Sequence, residues 1–314
     1  MSQYCKARYL CSCGAWLDVI VIGLGGNAML SPKGRQSISA QLSSVANIAK
    51  GVARLSRRYR IVITHGNGTQ VGDELLKNIN STREALPLYL LNAETQGSIG
   101  SSLEIALNSA KQKDEFCTIL THVLVDKDDS AFKKPSKPIG PFYTKKELKA
   151  ELKKEEFEYV IERGMYRRVV PSPKPVGILE IDKIMHMLNK FNVICGGGGG
   201  IPVYANASRY AGVNAVIDKD YTTQLIANLI GAKKMLLLTD TDYVYKDIRD
   251  RRTRIEASQA SEMKKLLDNL EEGTIRPKVE ACINFIENGG KSAQIGSISK
   301  LIEVAMGKSG TTIR

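Results

Sequence analysis

The stretch LDVIVIGLGGNA, Leu17–Ala28, decides the fold. Its first half, LDVIVI, is an apolar strand-like run, and its second, GLGGNA (Gly23–Ala28), is a glycine-dense turn. Glycine tolerates positive φ and close backbone approach, so such a turn presents bare N–H groups to an anion. A helix that follows adds partial positive charge at the same place. The arrangement recurs twice. THGNGTQVG (Thr64–Gly72) follows RIVI (Arg60–Ile63), and CGGGGGIPV (Cys195–Val203) follows FNVI (Phe191–Ile194). Three such turns in one chain argue for a site that handles phosphate and a second anion together.

Outward from these turns the chain alternates strand and helix. Ile38, Leu42, Val45, Ile48, Ala49, Val52 and Leu55 keep helical spacing within Gln36–Arg57. The strand RIVIT comes next, then helices around Asp73–Asn80 and Ala93–Leu107, and a strand CTILTHVLV over Cys117–Val125. After the third turn come AVIDKD, a helix over Thr222–Ile230 and the strand MLLLTD (Met235–Asp240). Helices over Ala260–Leu270 and Pro277–Asn288 and the strand SAQIGSI complete the pattern. Strands alternating with helices mean a mostly parallel sheet covered on both faces, with ligands beyond the carboxyl ends of the strands.

Residues 126–175 break the alternation. They hold six of the ten prolines (Pro135, Pro138, Pro141, Pro171, Pro173, Pro175) and the charged helical piece TKKELKAELKKEE. With little apolar periodicity the stretch does not read as a layer of a sheet. Ile139, Phe142, Tyr143, Val169 and Val170 read as buried and argue for a small subdomain or lid, against a solvated linker.

Composition excludes several classes. At 314 residues with 43% hydrophobic and 25% charged residues, the chain is an ordinary globular protein of one large domain or two lobes. No apolar run approaches the ~18 residues that span a bilayer, and the N-terminus lacks the apolar core of a secretory signal. The expected setting is cytoplasmic. A net charge of +12 comes from scattered basic clusters without interleaved aromatics, which fits an anion-binding cleft and not nucleic acid. Cys5, Cys11 and Cys13 precede the first strand with no histidine near, and read as reduced thiols of an N-terminal extension, residues 1–16. Cys117, Cys195 and Cys282 read as small buried hydrophobes.

Gly23-x-Gly25-x-x-Ala28 meets the relaxed dinucleotide fingerprint, but the second strand ends in THGNG without the acid that would hold a ribose. GKS at Gly290–Ser292 lacks a P-loop's first glycine, because Phe285 stands there. No G-x-S-x-G or H-E-x-x-H occurs, and the three histidines are too few for a metal cluster. Lysine is well supplied: Lys219 between Asp218 and Asp220, Lys278 in TIRPKVEA, and Lys137 in SKPIGPFY. Phosphoryl transfer needs such positioned cations and little covalent chemistry.

GLGGNA, THGNGTQVG, AETQGSIG, KPIGPFY, RRVVPSPKP, GGGGIPV, AVIDKD, LLLTDTDYVY and RPKVEA, in that order, resemble the carbamate kinase family of the amino acid kinase superfamily, from about Val19 to Ile313. The resemblance implies an open αβα sandwich, with KPIGPFY and RRVVPSP in a protruding lid subdomain at about 126–175. It implies an N-terminal lobe (17–190) for carbamate or carbamoyl phosphate, a C-terminal lobe (191–314) for ATP or ADP, magnesium (Mg2+) and a homodimer. By position, Gly25, Gly26, Asn27, Gly66, Asn67 and Gly68 are similar to the family's phosphoryl cradle. Lys137 resembles the lysine that the subdomain sends onto the substrate. Lys219 and Lys278 resemble the pair that stabilises the group in transit, with Asp220 organising them. Gly198 and Gly199 resemble contacts to nucleotide phosphates, and Asp240 and Tyr245 contacts to the nucleoside. No side chain stands out as a magnesium ligand, as magnesium usually rides on substrate phosphates.

Thr69 stands where the family usually has proline, and Glu94 and Ser98 where it is less polar. The implied activity is reversible phosphoryl transfer between ATP and carbamate, its cellular direction unwritten in the sequence. A relative acting on another small acid, such as acetylglutamate, and a catalytically silent anion sensor are the alternatives. The subdomain motifs disfavour the first, and intact Lys137, Lys219 and Lys278 the second.

Overall fold

Val19 and Val21 face one side of the first long strand and Ile20, Ile22 and Leu24 the other, and all five are buried. A strand covered on both faces belongs inside a parallel sheet. The computed structural model describes residues 9–10, 16–25, 38–79, 84–110, 115–151, 158–162, 164–207, 209–270 and 275–314. Gly26, Asn27 and the N-terminal cysteines lie outside them.

The strands, in chain order, are β1 (Tyr9–Leu10), β2 (Trp16–Leu24), β3 (Tyr59–His65), β4 (Phe116–Thr118), β5 (His122–Val125), β6 (Lys137–Tyr143), β7 (Glu158–Glu162), β8 (Met165–Val170), β9 (Pro175–Ile178), β10 (Asn192–Ile194), β11 (Ile201–Asn206), β12 (Arg209–Gly212), β13 (Lys234–Thr239), β14 (Val244–Tyr245), β15 (Arg254–Ile255), β16 (Ala257–Ser258), β17 (Ser292–Ser297) and β18 (Thr311–Ile313). The helices are α1 (Ile38–Leu55), α2 (Gly68–Ile79), α3 (Leu88–Ser109), α4 (Lys145–Glu151), α5 (Ile181–Met187), α6 (Lys219–Leu229), α7 (Ala260–Leu266), α8 (Arg276–Glu287) and α9 (Leu301–Ala305).

The central sheet runs β16-β18-β17-β13-β2-β3-β10-β4, with β1 against β2. From β17 to β4 every neighbouring pair is parallel. One apolar cluster joins Val19, Val21, Val62, Val193 and Leu237 to Ile226 of α6 and Val279 and Ile283 of α8. The opposite cluster joins Ile20, Ile22, Ile61, Ile63, Ile194 and Leu236 to Val45 and Val52 of α1, Leu103 of α3 and Val304 of α9. This is the expected α/β architecture, an open αβα sandwich. The three glycine turns leave the carboxyl ends of β2, β3 and β10, which are adjacent strands.

Four local expectations are corrected. Cys117–Val125 is not one strand: β4 belongs to the central sheet and β5 to a four-stranded sheet β12-β11-β5-β9. The break at Ile119–Thr121 is fixed from outside, Ile119 N–H donating to the Ile194 carbonyl (2.8 Å) and Thr121 N–H to Gln96 Oε1 (2.8 Å). Helix α2 starts at Gly68, directly after the second turn, and α6 at Lys219, so Lys219 and Asp220 lie in its first turn. The third turn leads into the hairpin β11–β12. The excursion does build a sheet of its own, β6-β8-β7, antiparallel. Pro138, Gly140 and Pro141 interrupt its two-residue pattern, and its register shifts between Ile139 and Tyr143.

The excursion is docked through a few residues, while Phe142, expected to be buried, is exposed and Tyr143 is half-buried. Ile139 and Val170 join Val71 and Leu75 of α2, Leu88 and Leu91 of α3, and Val216 in a third apolar cluster. A Cβ on Gly72 would lie 2.1 Å from the Gly140 Cα, so α2 and β6 touch backbone to backbone. No described helix is long and apolar enough to cross a membrane.

Candidate active site

The first two turns are laced to the sheet. Gly25 N–H donates to the Leu238 carbonyl (2.9 Å) and Gly66 N–H to that of Leu24 (3.0 Å). These two amides are spent on strand carbonyls, not bare as expected. Helix α2 follows directly on the second turn, starting at Gly68. Its first backbone bond is Val71 N–H to the Asn67 carbonyl (2.8 Å), and a helix leaves the N–H groups of its opening turn without intrahelical partners. No acidic residue occupies that turn. Thr69 is the second residue of the helix.

The third turn packs onto the second. Gly196, Gly198, Gly199 and Gly200 all have positive φ. A Cβ on Gly198 would fall 2.2 Å from Asn67 Nδ2, and one on Gly199 2.1 Å from the Ile217 carbonyl oxygen. Both glycines are buried. Asn67 is locked from α3, donating to Asn92 Oδ1 and, at 2.8 Å, to Thr95 Oγ1. Asn92 in turn donates to the Gly200 carbonyl. This polar layer of Asn92, Thr95 and Gln96 was missed by sequence reasoning, although AETQGSIG contains two of the three and Asn92 precedes it. Glu94 and Ser98, from the same helix, are exposed, and Ser98 Oγ donates back to the Thr95 carbonyl (3.2 Å). His65 lies against Gly197 and is fully buried, and burial pulls its pKa down to about 4, so it is a neutral packing group.

Beside the turns lies the charged centre. Asp218 caps α6, its Oδ1 accepting from Asp220 N–H (2.9 Å). Thr64 and Thr223, with hydroxyl oxygens 2.6 Å apart, hold the head of α6 against the end of β3. Lys219 pairs with Asp220 Oδ1, and Lys278, in the first turn of α8 behind Pro277, reaches Asp220 Oδ2 at 3.1 Å. Lys137 comes from the excursion to pair with Asp218 Oδ2. All four residues expected to be catalytic are thus brought together, Lys137 joining through an aspartate that sequence reasoning did not select. The signal for Asp218 was its position as the acid just before a helix.

Burial alone would push Asp220 up, but Lys219 and Lys278 outweigh it and hold the carboxyl below its ordinary value. Asp218 is held down likewise: burial opposes, and Lys137, Lys278 and the Asp220 N–H win. For Lys219 burial dominates and lowers its pKa despite Asp220. Lys278 ends above the ordinary lysine value, burial being overcome by Asp220 and Asp218. The Asp240 carboxylate pulls Lys278 the same way, more weakly. Asp240 itself is exposed at the end of β13, accepting from Thr239 Oγ1 (2.9 Å), and Tyr245 is half-buried on β14.

Cys195 and Cys282 are buried and Cys117 half-buried. Burial pushes the Cys117 thiol up to about 11 and the other two higher, so all three stay as thiols. Among the described residues no group of three or more His, Cys, Asp or Glu side chains could hold a metal.

Residues 18–297 match the family model described as "Amino acid kinase family". The carbamate kinase of Haemophilus influenzae is 38% identical over 299 residues, covering 94% of this chain and 96% of its own. That of Halobacterium salinarum is 38% identical over 311 residues, covering 95% and 98%. Carbamate kinase from Giardia lamblia superimposes with a TM-score of 0.87 when bound to citric acid and 0.83 when bound to AMP-PNP, at 34% identity in both cases, with 95% of this chain and 98% of that one covered.

Proposed function

We propose that this chain, which belongs to the amino acid kinase family and is one of its carbamate kinases, moves a phosphoryl group between ATP and carbamate at the lysine–aspartate centre. The observation that carries the placement is the convergence of Lys137, Lys219 and Lys278 on two buried aspartates beside the glycine turns. A carbamate oxygen attacks the γ-phosphorus in line, and no phosphate is attached to the protein. Charge on the moving group is met by the ammonium groups of Lys219 and Lys278, which Asp220 holds in place before substrate arrives. Lys137 contacts the small substrate from the lid and helps to exclude water that would hydrolyse carbamoyl phosphate.

The cradle is assigned to Gly25, Gly26, Asn27, Gly66, Asn67 and Gly68, with the amides at the head of α2 as its anion-facing part. Gly198 and Gly199 form its floor on the nucleotide side, and Asp240 and Tyr245 lie toward the nucleoside. In this reading the segment 17–190 serves carbamate and 191–314 the nucleotide. Magnesium neutralises polyphosphate charge in such reactions. The described residues offer it no cage of their own, so it would be carried by the nucleotide's phosphates and water. The reading extends to a cytoplasmic homodimer. Exposed Ile105 on α3 and exposed Leu120 after the edge strand β4 support a partner face at that end of the sheet.

The test is ATP formation from ADP with carbamoyl phosphate, set beside acetylglutamyl phosphate. Turnover with the first alone is expected. Preference for the second would overturn the substrate assignment, and activity with neither would favour a silent anion sensor.

A further inference from the structure

The excursion leaves the body after Val125 and returns at Pro175, and these two residues pair across β5 and β9. Its two arms therefore start side by side. Asp129 in the outgoing arm ties them together: Oδ2 accepts from Lys174 N–H (2.9 Å) while Oδ1 accepts from Ala131 N–H (2.8 Å). The return arm, Pro171–Lys174, carries two prolines and lies along the segment that holds the catalytic charges. Val216 N–H donates to the Pro171 carbonyl at 3.0 Å. At the arm's other end the Lys174 ammonium donates to Glu280 Oε1 (2.7 Å) and stands 5.2 Å from the centre of the Tyr221 ring. The Tyr221 hydroxyl donates to Glu280 Oε2 (2.8 Å).

Tyr221 follows Asp220 directly in α6, and Glu280 is two residues beyond Lys278 in α8. One carboxylate thus joins the lid's arm to both helices that carry the lysine pair. Lys137 is one strand away from the same arm, since it pairs with Val170 across β6 and β8, next to Pro171.

We propose that Glu280 is a positioning residue for the phosphoryl-transfer reaction, clasping Lys174 and Tyr221 so that the proline-stiffened arm delivers Lys137 in register with Lys219 and Lys278. The proposal rests on the reading of Lys137 as a substrate contact. Lys219 and Lys278 share Asp220 within the body, whereas Lys137 reaches Asp218 only through the lid, so the clasp bears on Lys137 first.

The experiment is a double-mutant cycle between Glu280→Ala and Lys137→Ala, read as kcat/KM for carbamoyl phosphate and as the dissociation constant of ADP measured without it. A small displacement of one positioning group is costly, so Glu280→Ala should lower kcat/KM about tenfold, with ADP binding unchanged. In the Lys137→Ala background the same substitution should cost less than about twofold, since there is no lysine left to position. Glu280→Gln, which keeps an acceptor for the Tyr221 hydroxyl, should recover part of the loss. Tyr221→Phe, a milder change that leaves the ring under Lys174, should follow Glu280→Ala in direction. Equal losses from Glu280→Ala with and without Lys137, parallel weakening of ADP, or no loss at all would overturn the clasp. Near-normal turnover in Lys137→Ala would overturn the role of Lys137, and the clasp with it.

Discussion

Asp220→Asn tests the core of the site. The amide keeps the shape of the side chain and one acceptor oxygen but removes the charge that Lys219 and Lys278 share. The Asp220 side chain is 3% exposed and those of Lys219 and Lys278 are 10% and 15% exposed, so water cannot replace it. Removing one member of a buried ion pair costs about 3–5 kcal/mol, and we expect about 3 kcal/mol here because Lys219 can shed its proton. That escape has a pH signature. Lys219 already lies below its ordinary value of 10.5, and without Asp220 it falls further. A lysine depressed by folding makes the folded state gain stability as pH rises toward the unfolded value. The deficit of the variant should therefore shrink between pH 7 and about pH 10. On the acid side the sign reverses: wild-type Asp220 contributes above its ordinary value of 3.8 and loses that contribution as pH falls below it, which the variant cannot do. Urea unfolding midpoints at several pH values measure both effects. Turnover should fall on the order of 10²-fold or more, because Lys219 and Lys278 lose the carboxylate that holds them ready for developing charge. A deficit that stays constant or grows between pH 7 and about pH 10, or turnover within a few-fold of wild type, refutes the organising role.

Lys137→Ala should raise the KM for carbamoyl phosphate and lower turnover while ADP binding alone stays unchanged. Arginine at this position should rescue poorly, since a planar fork does not replace a compact ammonium, and equal weakening of both ligands would sink the lid assignment. Gly198→Ala should lower the melting temperature more than Gly289→Ala. Both glycines have positive φ, which costs an alanine about 1–2 kcal/mol, but only Gly198 also drives its Cβ into Asn67. Equal shifts in the two variants would contradict the packing of the second and third turns.

The fold was legible because its evidence is local and repeated. Runs such as LDVIVI and MLLLT must be buried on both faces, and the helices between them carry a stripe for one face each. The split of Cys117–Val125 was not legible, since no proline or glycine marks it. Its cause is a set of bonds from Ile194, Gln96 and Gly196, residues brought near only by the finished sheet. The site divides in the same way. Lys219 and Asp220 are neighbours in sequence, and their pairing could be read. Asp218 and Lys137 are 81 residues apart, and only the excursion's docking on α2 through Gly72 and Gly140 makes them a pair. The third glycine turn misled in emphasis. An anion explains a run of glycines, but so does the need for five consecutive residues without side chains between His65, Asn67, Ile217 and Val123.

The charge count of the centre bears on how it can be both stable when empty and receptive to phosphate. Lys137, Lys219 and Lys278 face Asp218 and Asp220, three positive charges against two negative. Burial works against an ammonium, as the lowered pKa of Lys219 shows. A third carboxylate would neutralise the centre and repel an incoming phosphoryl group. Two acids pair with the three lysines and leave a formal surplus of one positive charge. An ammonium carries three donors, so pairing with a carboxylate does not exhaust it. The aspartates therefore fix the cations without consuming them, and the transferred group meets donors already turned toward it rather than donors that must first be gathered from water.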